Sequence, residues 1–267
     1  MKTPLISIIT VSYNAATTIE QTILSVINQT YSNIEYIIID GGSTDGTVDV
    51  IRKYEDKIAY WISESDKGIY DAMNKGIKIA SGEWINFMNC GDSFYNNTVL
   101  EDVFKIADFS SDVIYGNTNK ILNLGEYILK ASDVTGNNYM PFSHQAAFSR
   151  TSLMKKYGFD IEFKICADKK FFFEVLKGGY KFEYTDKVIA NYEAENGFSA
   201  SNTLNLLYEI GLIEGKTNDV LWIVNFTRYA IWFKLKQLIK VILPEKIVSL
   251  IKRHNIRCKA NENRIHY

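Results

Sequence analysis

The chain has 267 residues, 46% hydrophobic and 23% charged, with 30 Lys or Arg against 31 Asp or Glu. That composition excludes disorder, collagen and coiled coil, and a net charge of −1 gives no global field toward nucleic acid. The balance hides an asymmetry: Arg228–Tyr267 holds ten basic residues against two acidic, about +8, while the other 227 residues hold 20 against 29, about −9.

The first half alternates strand-like and helix-like runs. Leu5–Val11 is a short β-branched run, the pattern of a strand buried on both faces. Thr17–Gln29 has Ile19, Ile23, Val26 and Ile27 at helical spacing. Ile34–Ile39 is a second strand, followed by the turn GGSTDG, a helix over Val48–Tyr54 and a third strand over Ile58–Ile62. Ile69–Ala80 places Ile69, Met73, Ile77 and Ala80 on one helix face, and Trp84–Met88 is a fourth strand ending at Asn89-Cys90-Gly91-Asp92. Such repeats with short connections predict a parallel sheet covered by helices, with ligands at the carboxyl ends of the strands.

After residue 110 the pattern loosens. Short strands are expected at Asp112–Tyr115, Lys120–Leu122, Tyr127–Leu129 and Gln145–Phe148, some of them antiparallel. Phe171–Leu176 belongs to a helix closed by Gly178 and Gly179, and Lys187–Tyr192 is a strand leading to the loop ENGFSAS. From Thr203 the chain reads as helical to its end. Ile231, Leu235, Leu238, Ile239 and Ile242 form a stripe interleaved with Lys234, Lys236 and Lys240; Pro244 opens a second basic helix with Ile247, Val248 and Ile251. Basic amphipathic helices of this kind suit an anionic membrane surface; the same pattern also suits a helix hairpin packed on the domain with its lysines solvated.

Three cysteines, Cys90, Cys166 and Cys258, have neither metal-ligand spacing nor an even number for disulfides, which fits reduced thiols in the cytoplasm. The N-terminal apolar run lacks a small-residue cleavage site and reads as a strand rather than a signal peptide. No apolar stretch approaches the roughly 20 residues of a spanning helix.

Polar residues follow each of the four strands: Tyr13 and Asn14, Asp40, Glu64 and Asp66, and Asp92. On a parallel sheet they share one edge, where four acidic positions would make an electronegative cleft. A phosphate entering it would need Mg²⁺ or Mn²⁺. Each residue alone also suits a turn or a helix cap.

The blocks SIITVSYN, EYIIIDGGSTDGT and SESDKGIYDAMNKGIKIASGEWINFMNCGD, over Pro4–Phe94, resemble the nucleotide-binding half of family 2 glycosyltransferases. PFSHQAAF, CADKKFFFEVL and ENGFS extend the resemblance to about Ser201, toward the subgroup that builds bacterial exopolysaccharide, capsule and O-antigen. The resemblance implies a GT-A fold: an α/β, Rossmann-like, mostly parallel sheet flanked by helices. The glycosyltransferase domain would span residues 1–202, with a nucleotide-sugar half over 1–94 and an acceptor half over 95–202. Residues 203–267 would form a helical C-terminal extension.

It also implies roles. Tyr13 matches a residue near the uridine ring; Asp40 and Asp66 match carboxylates that accept from uracil or ribose. Asp92 matches the last acid of the DxD metal motif, whose other carboxylates are absent here, and Gly41 stands where a second Asp is commoner. Asp168 matches the catalytic base, though by itself it also suits the first turn of a helix. His144, beside Gln145, is assigned to donor phosphate or acceptor sugar, and Lys67 could meet a phosphate.

The implied enzyme is an inverting, metal-dependent hexosyltransferase, peripheral on the inner face of the cytoplasmic membrane. It would move one sugar from a nucleotide sugar, by the family pattern a UDP-sugar, to a glycan acceptor on a lipid carrier. Two other readings stay open: a degenerate subunit that binds nucleotide without turnover, and a sugar nucleotidyltransferase. The latter would want a basic, glycine-rich loop after the first strand, which SYNAATT is not.

Overall fold

The computed structural model describes residues 3–122, 125–193 and 202–242. Strand β1 (Ile6–Ser12) is buried along its whole length, as its β-branched run dictates. It pairs in parallel with β2 (Ile34–Asp40) on one side and β4 (Trp84–Phe87) on the other, and β3 (Tyr60–Ser63) extends the parallel block beyond β2. Ser12, Asp40 and Ser63 therefore stand side by side at the carboxyl edge.

The rest of the sheet is mixed. Its order is β3-β2-β1-β4-β8-β6-β9-β5, with β7 (Gly125–Leu129) on β6 as a hairpin. Here β5 is Ser93–Phe94, β6 Val113–Leu122, β8 Ala147–Arg150 and β9 Phe182–Glu193. β8 runs antiparallel to β4 and β6, and β6 and β9 are parallel.

Alternate strand residues feed two cores. Ile6, Ile8, Ile38 and Trp84 meet α1 (Ile19–Ile27), α2 (Thr47–Arg52) and α4 (Val99–Ile106) on one face. Ile9, Val11, Ile37 and Phe87 share the opposite core with residues of α3 (Ile69–Ile79), α5 (Thr151–Tyr157) and α6 (Ala167–Lys177). Period-two alternation on both sides of a covered sheet makes three layers.

Several boundaries differ from the sequence expectation. The strand expected at Ile58–Ile62 begins at Tyr60, and the helix expected at Val48–Tyr54 ends at Arg52. The two short strands around residues 112–122 are one ten-residue strand, because Asn117, Thr118 and Asn119 are buried within it. The strand placed at Gln145–Phe148 starts at Ala147, with Gln145 in a 3₁₀ turn over His144–Ala146. The terminal helix is broken into α7 (Thr203–Ile213) and α8 (Val220–Ile242), with Gly215 (φ +68°) between them. The second basic helix from Pro244, the loop ENGFSAS and Cys258 lie outside the described residues.

α7 joins the body through Leu206, Ile210 and Ile213, which pack on the core, and through one acid. The Glu209 carboxylate is buried and accepts from the backbone N–H of Lys164 (2.8 Å), Ile165 (3.0 Å) and Cys166 (2.8 Å), the residues leading into α6. Glu209→Ala would strand three N–H groups at a buried site. We expect a loss of about 3 kcal/mol in chemical denaturation, with Glu209→Gln intermediate.

Candidate active site

The carboxyl edge of the parallel block opens into a cavity of about 910 Å³. Tyr13 and Asn14 after β1, Gly41 after β2, Asp66 and Lys67 after β3, and Asn89 and Cys90 after β4 line it, so each strand contributes. α3 adds Tyr70 and Asp71, and Phe163 and Lys164 close the far side.

Asp40 is fully buried and is not in that wall. Its two oxygens accept five hydrogen bonds: from the hydroxyls of Ser12, Ser43 and Ser63 and the backbone N–H of Gly42 and Ser43, at 2.6–3.1 Å. Burial acts to raise its pKa, but these bonds outweigh it and hold the carboxyl below the usual carboxylate range. Asp40 thus shapes the edge from behind.

Asn14 continues that shaping. It adopts φ 47°, a left-handed conformation that Asn tolerates. Its N–H donates to Ser43 Oγ at 2.8 Å and its Oδ1 accepts from Thr44 N–H at 3.0 Å. Its neighbour Tyr13, 67% exposed, lies along the cavity wall. Asp66 Oδ1 accepts from Gly68 N–H at 2.7 Å. A Cβ on Gly41 would stand 2.6 Å from Asp66 Oδ2 and 3.3 Å from Tyr13 Cδ2. Glycine at 41 therefore lets Asp66 and Tyr13 converge, and the Asp66 carboxylate occupies the room that a larger residue there would take.

Asp92 lies beyond the cavity wall, at the end of the turn Asn89–Asp92, where Gly91 takes φ +93°. It is buried, accepts from Gln145 Nε2 at 2.7 Å, and burial lifts its pKa to about 7. No group of three or more His, Cys, Asp or Glu among the described residues could hold a metal unaided. A hard cation here would have Asp92 as its one protein carboxylate. Asp92 offers a carboxylate that gains by ionising beside positive charge, and Mg²⁺ or Mn²⁺ retains waters and takes phosphate oxygens.

His144 and Asp168 meet. Nδ1 of His144 lies 3.3 Å from Asp168 Oδ2, and both side chains are mostly buried. Nε2 of His144 lies 3.1 Å from Asn89 Nδ2. Asp168, at the start of α6, also accepts from Lys169 N–H at 2.8 Å. The Tyr70 hydroxyl donates to the Ile165 carbonyl at 2.6 Å and stands 3.3 Å from Asp168 Oδ1. Burial acts to raise the Asp168 pKa, but the imidazole holds it below the ordinary value; burial acts to lower that of His144, but the carboxylate holds it above. Both ring nitrogens of His144 thus face protein groups rather than the cavity. Asn89 and Tyr70 line the cavity on one side and contact this pair on the other.

The structure gathers Tyr13 and Asp66 on the cavity wall and sets Asp92, His144 and Asp168 just behind Asn89 and Tyr70. Asn89, Tyr70 and Glu209 were not singled out from the sequence; only Asn89, within the NCGD turn, had a local signal.

Residues 7–178 match the model of the family described as glycosyl transferase family 2. Over 180 residues the chain is 36% identical to an uncharacterized glycosyltransferase of Mycobacterium tuberculosis, covering 63% of this chain and 67% of that one. It is 28% identical over 218 residues to a PGL/p-HBAD biosynthesis glycosyltransferase of Mycobacterium bovis, covering 74% and 80%. Among solved structures, S. aureus TarS is similar at a TM-score of 0.63 and 23% identity, and this chain spans 78% of its own length but only 39% of the TarS chain. The mannosyltransferase PcManGT of Pyrobaculum calidifontis, in complex with GDP-Man and Mn²⁺, gives a TM-score of 0.61 at 18% identity, with coverage of 78% and 63%.

The Asp40 charge gives a pH signature. Because its folded pKa is lowered, its contribution is complete above the unfolded value of about 3.9 and is lost as pH falls through the folded value. Thermal melts should show a steeper acid limb in wild type than in Asp40→Asn, which loses roughly 2 kcal/mol at neutral pH.

Proposed function

The chain belongs to glycosyl transferase family 2 and has the GT-A fold, and from that premise we propose that it transfers one sugar from a nucleotide sugar, with inversion, using Asp168 as general base. The observation that carries this is adjacency. A cavity built from four strand ends shares the wall residues Asn89 and Tyr70 with a buried carboxylate at the start of α6.

In this reading the nucleoside lies against Tyr13, whose aromatic face suits a base, and Asp66 accepts a hydrogen bond from it. A UDP donor is our choice, by family pattern. TarS has been solved with UDP-GlcNAc and PcManGT with GDP-Man and Mn²⁺. Asp92 would hold the divalent ion, which would supply charge for the diphosphate. Lys67 on the wall adds a cation for the same group.

An acceptor hydroxyl gives its proton to Asp168 while its oxygen attacks C1 of the donor sugar. The bond from C1 to the diphosphate oxygen breaks, and the nucleoside diphosphate leaves with the electron pair. One base suffices, since this leaving group needs no proton.

The acceptor is proposed to be a lipid-linked glycan of a bacterial surface polysaccharide, with the enzyme peripheral on the inner membrane face. Among the described residues no helix is long and apolar enough to cross a membrane. α8 leaves Ile231, Trp232, Leu235 and Leu238 more than half exposed, alongside Arg228, Lys234 and Lys236. Apolar exposure combined with positive charge supports an anionic lipid surface as its partner, at about 1 kcal/mol for each basic side chain.

Nucleotide release from a panel of UDP-, GDP- and CDP-sugars, with and without Mn²⁺, tests the core reading. We expect Mn²⁺-dependent release from a UDP-sugar, lowered by a factor on the order of 10²–10⁴ in Asp168→Asn with donor affinity retained. Full turnover in that variant would reassign the base. Gly41→Ala, whose Cβ first meets the end of the Asp66 side chain and the Tyr13 ring, should fold normally and weaken UDP in calorimetry. Truncation after Thr227 should release the protein from phosphatidylglycerol vesicles in sedimentation, and indifference of the full chain to those vesicles would remove the membrane from this account.

A further inference from the structure

The imidazole of His144 sits between an amide and a carboxylate, and their chemistry fixes where its proton lies. Ionised Asp168 can only accept, so the ring must present N–H at Nδ1, 3.3 Å from Oδ2. In the neutral ring Nε2 is then an acceptor. It faces Asn89 Nδ2 at 3.1 Å, a group that can only donate. The three side chains form a single donor sequence directed at Asp168, beginning on the cavity wall with Asn89.

We propose that His144 is the positioning residue of the base, orienting the Asp168 carboxylate through Nδ1–H, and that Asn89 selects this tautomer. The proposal rests on the reading of Asp168 as general base. His144 reaches neither sugar nor phosphate through its ring nitrogens, and so acts through Asp168. The Lys169 N–H on Oδ1 completes the clamp from the opposite side of the carboxylate.

Two measurements test this. The first needs no substrate and no substitution in the protein observed. Long-range ¹H–¹⁵N correlation of labelled wild-type protein reports the tautomer of each of its three histidines, His144, His254 and His266. The His144 signals are those absent from the spectrum of His144→Asn. At mildly alkaline pH we expect protonated Nδ1 and bare Nε2; a protonated Nε2 with bare Nδ1 would overturn the proposal.

The second is kinetic, with the sugar nucleotide that gives most release in the panel above as donor. An Asn amide reaches the place of Nδ1, whereas a Gln amide reaches that of Nε2. His144→Asn should therefore keep kcat within about threefold of wild type, while His144→Gln should lose roughly ten- to hundredfold in kcat, the worth of a hydrogen bond to a charged group. The donor KM should stay unchanged in both. Equal losses in the two variants, or a loss confined to KM, would reduce His144 to a packing or donor-binding residue. Asp168→Asn serves as the separate control: full turnover there defeats the base assignment itself and takes this proposal with it, whereas inactive Asp168→Asn with equal His144 variants defeats the positioning role alone.

Discussion

A carboxylate buried at the end of β2 must be compensated or it costs more than its neighbours can supply. Asp40 is compensated by three hydroxyls and two backbone N–H groups, and its partners come from β1, from β3 and from the turn that follows its own strand. Three parallel strand ends and one turn are thereby held in fixed relation. Tyr13 and Asn14 continue from the first of these ends, Gly41 from the second and Asp66 from the third, so the cavity takes its outline from a group that does not line it. The serines at 12 and 63 answer a charge that lies tens of residues away in sequence.

The acidic edge expected from the sequence is present, but its members are not electrically alike. Asp40 is saturated, Glu64 pairs with Lys75 at 2.7 Å, and burial raises the Asp92 pKa to about 7. Of the acids that follow the four strands, Asp66 is the one that lies in the cavity wall. The cleft is less a uniform negative surface than a set of carboxylates tuned separately by burial and hydrogen bonding.

The first four strands were legible because burial on both faces makes an unbroken β-branched run, a purely local signal. β6 was not. Residues 116–119 fall between two expected strands, yet Asn117, Thr118 and Asn119 are buried, and the Asn side chains find Asp186, Glu126 and Asn191 on neighbouring segments. α4 went unread although Val99, Leu100, Val103 and Phe104 have helical spacing. In the site, Asp168 stood in a recognisable block, while its partner His144 lies 24 positions earlier and could be named but not paired. Glu209 looks like a solvated helix residue, since the N–H groups it receives belong to a loop more than 40 positions away.

That last contact ties the first C-terminal helix to the sheet-bearing part of the chain. A cut placed after residue 202, where the strand-rich part stops, would remove the acceptor for three amides that lead straight into the helix bearing Asp168. The packed body therefore includes α7, whose Ile213 is buried in the core. Exchange of C-terminal segments between relatives, by recombination or by design, has to respect this seam. A donor segment grafted before α7 must bring its own acid to the position of Glu209, whereas one grafted in the break before α8 inherits an intact anchor.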